Sequence, residues 1–430
     1  MLKTIWHKLC RTVTMSSRGK VIVVAGTTGV GKSQLSIQLA ERFNGEVINS
    51  DSMQVYKGIP VITNKHPVQE RNGIEHHVMN HVDWSEEYFL HRFEKECDQA
   101  ISDIHSRGKL AIIVGGTHYY LQCLFNKRID AVSRELSETE AAMLESEDPQ
   151  SLYDTLKECD PRIASKFHPN DVRRVKRMLE IFYKTGKKPS DAYAEQQVGL
   201  RYDTLFFWLY SDPEPLNSRL DDRVDKMLEV GGMAEINELY ECYKSKNYDV
   251  DQCENGVWQV IGFKEFLPWL EKQPNTSFEE CVDRMKIRTR QYAKKQVKWI
   301  KKMLIPDING DIYLLDASDL SKWDANVAER STKITENFVN GEPMSQERAP
   351  AGLVALLDHK SECRTPMSDT QQFTCDICFD KNGKPLVAVG QGNWEIHSRS
   401  RRHRSNLTRG TRKAAYEKWK QAKEKDVEGE

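Results

Sequence analysis

The sequence lacks the features that would place it in a membrane or in an oxidising compartment. No apolar run approaches the ~18 residues that a membrane-spanning helix needs, so we expect a soluble protein with no membrane partner. Its ten cysteines are scattered singly, apart from Cys375 and Cys378. That distribution is not a disulfide framework, and it favours a reducing compartment.

Acidic residues are missing from three segments of this 430-residue chain, although its formal net charge is only −1. The segments are 1–40, 284–304 and 397–413, and each carries lysine and arginine. Local basic patches in a near-neutral protein indicate a specific polyanionic partner rather than general attraction to anions.

The N-terminal patch also has the pattern of a mitochondrial transit segment. Apolar residues at helical spacing alternate with basic ones, namely Leu2, Ile5, Trp6 and Leu9 with Lys3, Lys8, Arg11, Arg18 and Lys20. A disordered basic leader over residues 1–18 is the alternative. Initiation at Met15 would delete most of the leader, so we expect the protein in the mitochondrion and the cytoplasm, with the nucleus left open.

Short apolar strands alternate with helical stretches along the first 300 residues. The predicted strands are 20–25, 46–51, 110–114 and 205–210, and the predicted helices are 32–43, 85–107, 216–243 and 278–304. This alternation predicts an α/β fold with a parallel sheet covered by helices on both faces. Ligands are then expected at the carboxyl ends of the strands.

The first strand is followed by "GTTGVGKS", which fits the phosphate-binding loop G-x-x-x-x-G-K-[ST] without a mismatch. Its backbone N–H groups should point at a di- or triphosphate, Lys32 adds a positive charge, and Ser33 is placed to ligate Mg²⁺. The predicted phosphate-binding residues are Gly26, Thr27, Thr28, Gly29, Val30, Gly31, Lys32 and Ser33.

Two further polar segments follow predicted strands. Asp51, in "NSDSMQVY", should lie beside the phosphate loop, where it could ligate Mg²⁺, act as a general base or cap the next helix. Gly115-Gly116-Thr117 allows close approach of a ligand or another backbone segment. Its strand lacks the terminal acid with which a nucleotide hydrolase holds magnesium, which weakens an ATPase interpretation.

Two basic helical segments and a cysteine/histidine pattern complete the candidate sites. Arg173–Arg177 and the nine basic residues of 284–304, interleaved with Tyr292 and Trp299, favour nucleic acid over a merely solvated helix. On the latter helix, Ala293, Val297, Ile300 and Leu304 mark an apolar face. The zinc-ligand pattern is Cys375-x₂-Cys378-x₁₈-His397-x₅-His403.

The predicted organisation therefore has several parts. They are a leader at 1–18, a P-loop NTPase-like core at 19–335 with a helical insertion at about 135–200, a linker at 336–370, and a zinc-finger module with a basic tail at 371–430.

Over almost its whole length the sequence resembles the tRNA dimethylallyltransferases, also called tRNA isopentenyltransferases, of the fungal type. The motifs are "GTTGVGKS", "NSDSMQVYKG", "VGGTHYYLQ", "HPNDVRRVKRMLEI", "RLDDRVDKML", "ENGVWQVIGFKE" and "RTRQYAKKQVKWIKK", in the expected order. The C-terminal module resembles the matrin or U1-like finger of eukaryotic members. Many members have proline where this chain has Thr27, a position that contributes backbone.

The resemblance implies transfer of a dimethylallyl group from dimethylallyl diphosphate to N6 of the adenosine at position 37 of tRNA. It implies Asp51 as the base, Gln54 as a reader of the flipped adenine, and Mg²⁺ and Zn²⁺ as cofactors. Donors to the leaving diphosphate would be Thr28, Lys32, Thr117, Arg223 and Arg219. Contacts to tRNA are expected from Asp51, Ser52, Met53, Gln54, Arg173, Arg174, Val175, Lys176, Arg177, Arg288, Arg290, Lys294 and Lys295.

We expect this transferase to be a monomer, and two other functions are weighed against it. The first is an ATP-dependent nucleoside or RNA kinase, with Asp51 as base for a hydroxyl. The second is an RNA-binding regulator whose phosphate loop is vestigial. The missing strand-end acid argues against the kinase, and the intact Lys32 and Ser33 argue against the regulator.

Overall fold

The computed structural model describes residues 19–117, 119–125, 134–195, 199–358, 371–380 and 383–408. The predicted leader and the tail beyond 408 lie outside the described residues. The chain forms two compact units, of which the first holds the described residues up to 125 and from 199 to 358. The second unit holds 134–195 together with 371–408.

A six-stranded parallel sheet forms the centre of the first unit, in the order β3-β2-β4-β1-β5-β6. The strands are β1 (Lys20–Gly26), β2 (Gly45–Asn49), β3 (His76–His77), β4 (Leu110–Gly115), β5 (Asp203–Tyr210) and β6 (Tyr313–Asp316). All four predicted strands are present, which confirms the α/β fold.

Both faces of the sheet are covered, as the unbroken apolar sequence of β1 predicts. Ile22 and Val24 pack into one buried cluster, whereas Val21 and Val23 pack into the other. The helices of this unit are α1 (Lys32–Arg42), α2 (Leu90–Ser106), α8 (Pro213–Met227), α9 (Met233–Ser245), α10 (Phe263–Leu270), α11 (Phe278–Trp299), α12 (Ile305–Asp307) and α13 (Arg330–Asn340).

The structure differs from the sequence prediction in several places in this unit. The stretch expected as a single helix over 216–243 is two helices, because Gly231 adopts a φ of 112° and interrupts it. Strands β3 and β6 were not predicted, since segments of two and four residues carry too little pattern. Helix α13 crosses the expected start of the linker, and Ala349 and Leu357 are buried within the first unit.

The second unit contains short helices and a two-stranded hairpin. The helices are α3 (Glu138–Glu145), α4 (Pro149–Cys159), α5 (Pro161–Ala164), α6 (Val172–Thr185), α7 (Pro189–Glu195) and α14 (Gln391–Ser398), and the strands are β7 (Gln372–Phe379) and β8 (Pro385–Val389). Buried Asp160 accepts from the N–H groups of Ile163 and Ser190, which ties α5 to α7. Gln372 Nε2 donates to the Tyr153 hydroxyl at 2.6 Å, joining the hairpin to α4.

No helix among the described residues is long and apolar enough to cross a bilayer.

Candidate functional site

The phosphate loop connects β1 to α1 as its motif predicts. Gly31 precedes the helix with a φ of 89°, a left-handed conformation that glycine adopts without strain. Lys32 Nζ donates to the Thr27 carbonyl at 2.6 Å. Burial lowers the pKa of Lys32 to about 8, an effect that the charge of Asp51 opposes and that of Arg223 reinforces.

Asp51 follows β2 in a turn that Asn49 shapes. The Asn49 side chain accepts from the Asp51 N–H at 3.0 Å and donates to the Asp51 carbonyl at 3.1 Å. The Asp51 carboxylate accepts from the Met53 N–H at 3.0 Å. Residues 52–55 form turns, so Asp51 does not cap a helix. Burial raises the pKa of Asp51, while that N–H and the charges of Lys32 and Arg223 oppose the increase.

The glycine pair after β4 brings that loop against the Asp51 turn. A Cβ at Gly115 would lie 2.2 Å from the Ser50 carbonyl oxygen, so only glycine permits the approach. Thr117 Oγ1 accepts from the Ser52 N–H at 3.0 Å. The sequence prediction of a close approach at this loop is thereby confirmed, and the neighbouring segment is the Asp51 turn itself.

The structure separates the two arginines predicted to hold the leaving diphosphate. Arg223 Nη2 donates to Thr28 Oγ1 at 2.8 Å, and burial lowers its pKa to about 10. Arg219 Nη2 instead donates to Ser211 Oγ and to the carbonyls of Ala317 and Ser318, at 2.8–2.9 Å. Arg219 therefore ties α8 to the ends of β5 and β6, and the predicted phosphate role does not fit these contacts.

Sequence reasoning missed Gln296, which is 4% exposed. Its Oε1 accepts from the Thr28 N–H, and its Nε2 donates to the Gly116 carbonyl, both at 2.8 Å. Tyr292, one turn earlier on α11, interacts with the side chains of Thr117 and Gln296. The sequence did hold a signal for Gln296, because this polar residue shares a helical face with the apolar positions Ala293 and Ile300.

Two cavities meet at Thr28, Asp51 and Arg223. One, of about 270 Å³, is lined by the phosphate loop, including Lys32 and Ser33. The other, of about 370 Å³, combines polar groups with an apolar wall formed by Val224, Met227, Val260, Ile261 and Met285. The cavity lined by the phosphate loop thus opens beside a larger chamber that can take an apolar group and a nucleobase. The carboxylate of Asp51 lies on the wall that the two share.

The residues predicted to contact tRNA lie in varied surroundings. Arg288, Lys294 and Lys295 are exposed on α11, whereas Arg290 pairs with Asp221. Gln54 Nε2 donates to the carbonyls of Thr63 and Asn64 at 3.1 and 3.0 Å.

In the second unit, Arg173 and Arg174 are exposed on α6, and Lys176 and Arg177 are half-buried. Arg174 pairs with Asp171, and Arg177 pairs with Glu180 at 2.6 Å. Val175 was predicted to contact tRNA, but it is fully buried in the core of this unit, because it lies on the apolar face of the helix. A contact from its side chain is therefore ruled out.

The predicted zinc ligands come together in the second unit. The ligand atoms of Cys375, Cys378, His397 and His403 all lie within 4.8 Å of one another. The distances from His403 Nδ1 to the two sulfurs are 3.5 and 3.7 Å, and 3.2 Å separate it from His397 Nε2. A tetrahedral zinc site with bonds of about 2.0–2.3 Å has edges of about 3.3–3.8 Å, so this donor set fits zinc.

Comparison with known proteins gives a consistent result. A family model described as IPP transferase matches residues 54–303. A tRNA dimethylallyltransferase of Saccharomyces cerevisiae is 63% identical over 414 residues, covering 95% of this chain and 97% of the relative. The human tRNA dimethylallyltransferase is 32% identical over 420 residues, covering 91% and 86%.

Solved structures agree. The crystal structure of a eukaryotic dimethylallyltransferase acting on tRNA has a TM-score of 0.84 and 63% identity, covering 94% of this chain and all of that one. A tRNA isopentenylpyrophosphate transferase from Bacillus halodurans has a TM-score of 0.52 and 30% identity, covering 75% and 96%.

Proposed function

The chain belongs to the IPP transferase family and acts as a tRNA dimethylallyltransferase, and we propose that its prenyl donor is dimethylallyl diphosphate. The dimethylallyl group moves to N6 of the adenosine at position 37, next to the anticodon, and diphosphate is released. The observation that carries the donor assignment is the position of Asp51 on the wall shared by a phosphate-loop cavity and an apolar chamber.

The diphosphate of the donor occupies the phosphate-loop cavity. Negative charge develops on the departing oxygen as its bond to the prenyl carbon lengthens, and preorganised cations stabilise that charge. Lys32 and Arg223 supply the cations, and the backbone N–H groups of the loop supply further donors. The apolar wall of the larger cavity, which includes Met227 and Met285, suits the hydrocarbon group.

Asp51 is the base for the exocyclic amine. The N6–carbon bond forms as the carbon–oxygen bond of the donor breaks, the amine proton passes to the Asp51 carboxylate, and diphosphate leaves with the electron pair. Burial raises the pKa of this carboxylate and so makes it a stronger base than a solvated one, while the charges of Lys32 and Arg223 oppose that increase. The adenine must leave the anticodon stack to reach the carboxylate. Gln54 lines the phosphate-loop cavity together with Asp51, and we propose that it contacts the edge of the adenine there.

Mg²⁺ suits the phosphate end of the site. The Ser33 hydroxyl is the protein oxygen that would hold it, and no acid ends β4. Such a site leaves most coordination positions to water and to phosphate oxygens, as Mg²⁺ prefers. The metal would neutralise charge on the diphosphate.

We assign tRNA binding to basic residues on both units. Arg288, Lys294 and Lys295 on α11 and Arg173 and Arg174 on α6 are exposed cationic side chains. Zinc held by Cys375, Cys378, His397 and His403 would fix the hairpin and the helical residues 401–408, which carry Arg401, Arg402 and Arg404, for contacts with the RNA backbone.

One assay tests the donor assignment. The protein is incubated with tRNA and either labelled dimethylallyl diphosphate or γ-labelled ATP. We expect label in tRNA only from the prenyl donor, at an initial rate at least about 10²-fold lower for Asp51→Asn and at the wild-type rate for Asp103→Asn, an exposed control on α2. Label transferred from ATP would refute the proposal and favour the kinase.

A further inference from the structure

Gln296 is a buried polar residue that connects separate elements of the first unit. It projects from α11, the helix that also bears Arg288, Lys294 and Lys295, yet its own side chain is buried against the phosphate loop. Both ends of its amide are used, one on the Thr28 N–H and the other on the Gly116 carbonyl. A single side chain thus joins three elements.

The backbone is shaped to receive this amide. A Cβ at Gly116 would lie 2.2 Å from Gln296 Nε2, so the second glycine of the pair makes room for it. Thr28 is fixed from two sides, since its hydroxyl accepts from Arg223 and its N–H donates to Gln296. Any displacement of α11 therefore acts on a residue that lines the phosphate-loop cavity.

The hydrogen bonds that begin at Gln296 also extend towards Asp51, the proposed catalytic base. Gly116 precedes Thr117, whose hydroxyl accepts from the Ser52 N–H next to Asp51. Tyr292, on the same side of α11 as Gln296, lines the larger cavity beside Asp51. Gln296 and Tyr292 thus link α11 to the phosphate loop and to the loop that holds the Asp51 turn, whereas Lys294 and Lys298 are exposed on the opposite side of the helix. Arg288 and Lys295 line the larger cavity.

We propose that Gln296 is a positioning residue that couples tRNA binding on α11 to diphosphate binding in the phosphate loop. Each ligand favours the arrangement in which the amide bridges Thr28 and Gly116, so each tightens the binding of the other, because such coupling is reciprocal. This inference rests on the proposed function, since it requires tRNA binding to the basic residues of α11.

The test compares tRNA affinity with and without saturating inorganic diphosphate and Mg²⁺. In the wild type we expect diphosphate to lower the tRNA Kd about fivefold or more. Gln296→Met keeps the length of the side chain but removes both hydrogen bonds. We expect it to bring that ratio close to one, with the Kd for tRNA alone within about twofold of wild type.

Cys281→Ala is the matched control, because Cys281 is fully buried on the same helix, about four turns before Gln296. It should lower the melting temperature while keeping the wild-type ratio. A wild-type ratio in Gln296→Met, a ratio of one in the wild type, or equal loss in Cys281→Ala would each overturn the inference. Failure of dimethylallyl transfer by the wild type would instead refute the proposed function.

Discussion

Arg223 Nη2 donates to Thr28 Oγ1 at 2.8 Å across 195 residues of sequence. The contact places a buried guanidinium at the junction of the two cavities, where we propose that the leaving diphosphate oxygen gains charge. We expect Arg223→Gln to lower kcat about 10²–10³-fold, the usual cost of removing one such donor. Arg219→Gln, which removes contacts to β5 and β6, should lower thermal stability more than kcat. Equal kcat losses in the two variants would contradict the separation of their roles.

Asp51→Asn is expected to lower kcat about 10²–10⁴-fold, because the amide cannot accept the amine proton. Asparagine keeps the size of the side chain and an oxygen for the Met53 N–H, so the turn should persist. Single-turnover transfer and tRNA binding are measured on the same samples. A Kd for tRNA that rises in parallel with the loss of rate would show that Asp51 binds the RNA rather than acting as base.

The sequence predicted those parts of the site whose geometry is local. Eight contiguous residues specify the phosphate loop, since its glycines and Lys32 act through nearby backbone. The link between Thr28 and Gln296 spans 268 residues and depends on how α11 packs, which no local pattern encodes. Arg219 and Arg223 lie four residues apart on α8 and look alike in sequence. Only the packing of α8 against the ends of β5 and β6 distinguishes them.

Lys32 predicts a pH dependence of diphosphate binding. Because its pKa is lowered to about 8, the ammonium is present below that pH and is lost as pH rises through it. The affinity for inorganic diphosphate should therefore fall between pH 7 and pH 9. Arginine remains protonated throughout this range, so Lys32→Arg should show a smaller fall under identical buffers. Titration calorimetry measures both, and the same decline in the two proteins would assign the effect to the ligand.

Transfer should also decline at low pH, through Asp51. Burial raises its pKa, so the carboxyl keeps its proton to a higher pH than a solvated aspartate does. The rate constant kcat/KM should increase with pH as this proton is lost, and the residual activity of Asp51→Asn should lack that increase. An unchanged acidic limb in the variant would point to another group.

Glu46 predicts a pH-dependent contribution to stability. Its nearly buried carboxylate accepts from Arg107, from Lys109 at 2.8 Å and from His77 at 2.7 Å. The hydrogen bond from Arg107 is the main cause that lowers its pKa from 4.5 to about 2. The stabilisation is present above pH 4.5 and is lost as pH falls towards 2.

We expect Glu46→Gln to lower the free energy of unfolding by about 2 kcal/mol at pH 7. This value is smaller than the pKa shift alone would give, because solvent screens the partly exposed side chains of Arg107 and Lys109. Urea unfolding of wild type and variant at several pH values measures the difference, which should shrink below pH 4.5. Glu41→Gln, an exposed acid on α1, is the control and should change little. A difference that stays constant down to pH 3 would show that the carboxylate charge contributes nothing.

Zinc removal should separate RNA binding from the donor site. The four predicted ligands lie in the second unit, whereas the phosphate loop lies in the first. A zinc-selective chelator in excess Mg²⁺, or Cys378→Ser, should therefore weaken tRNA binding and leave the Kd for inorganic diphosphate unchanged. Metal analysis should find one zinc per chain in the wild type and in Cys159→Ser, whose half-buried thiol on α4 lies outside the cluster. Asn406 Nδ2 donates to Cys378 Sγ at 3.4 Å, so Asn406→Ala should lower zinc affinity without abolishing binding, because such outer contacts orient ligands. Full zinc content in Cys378→Ser would exclude that sulfur as a ligand.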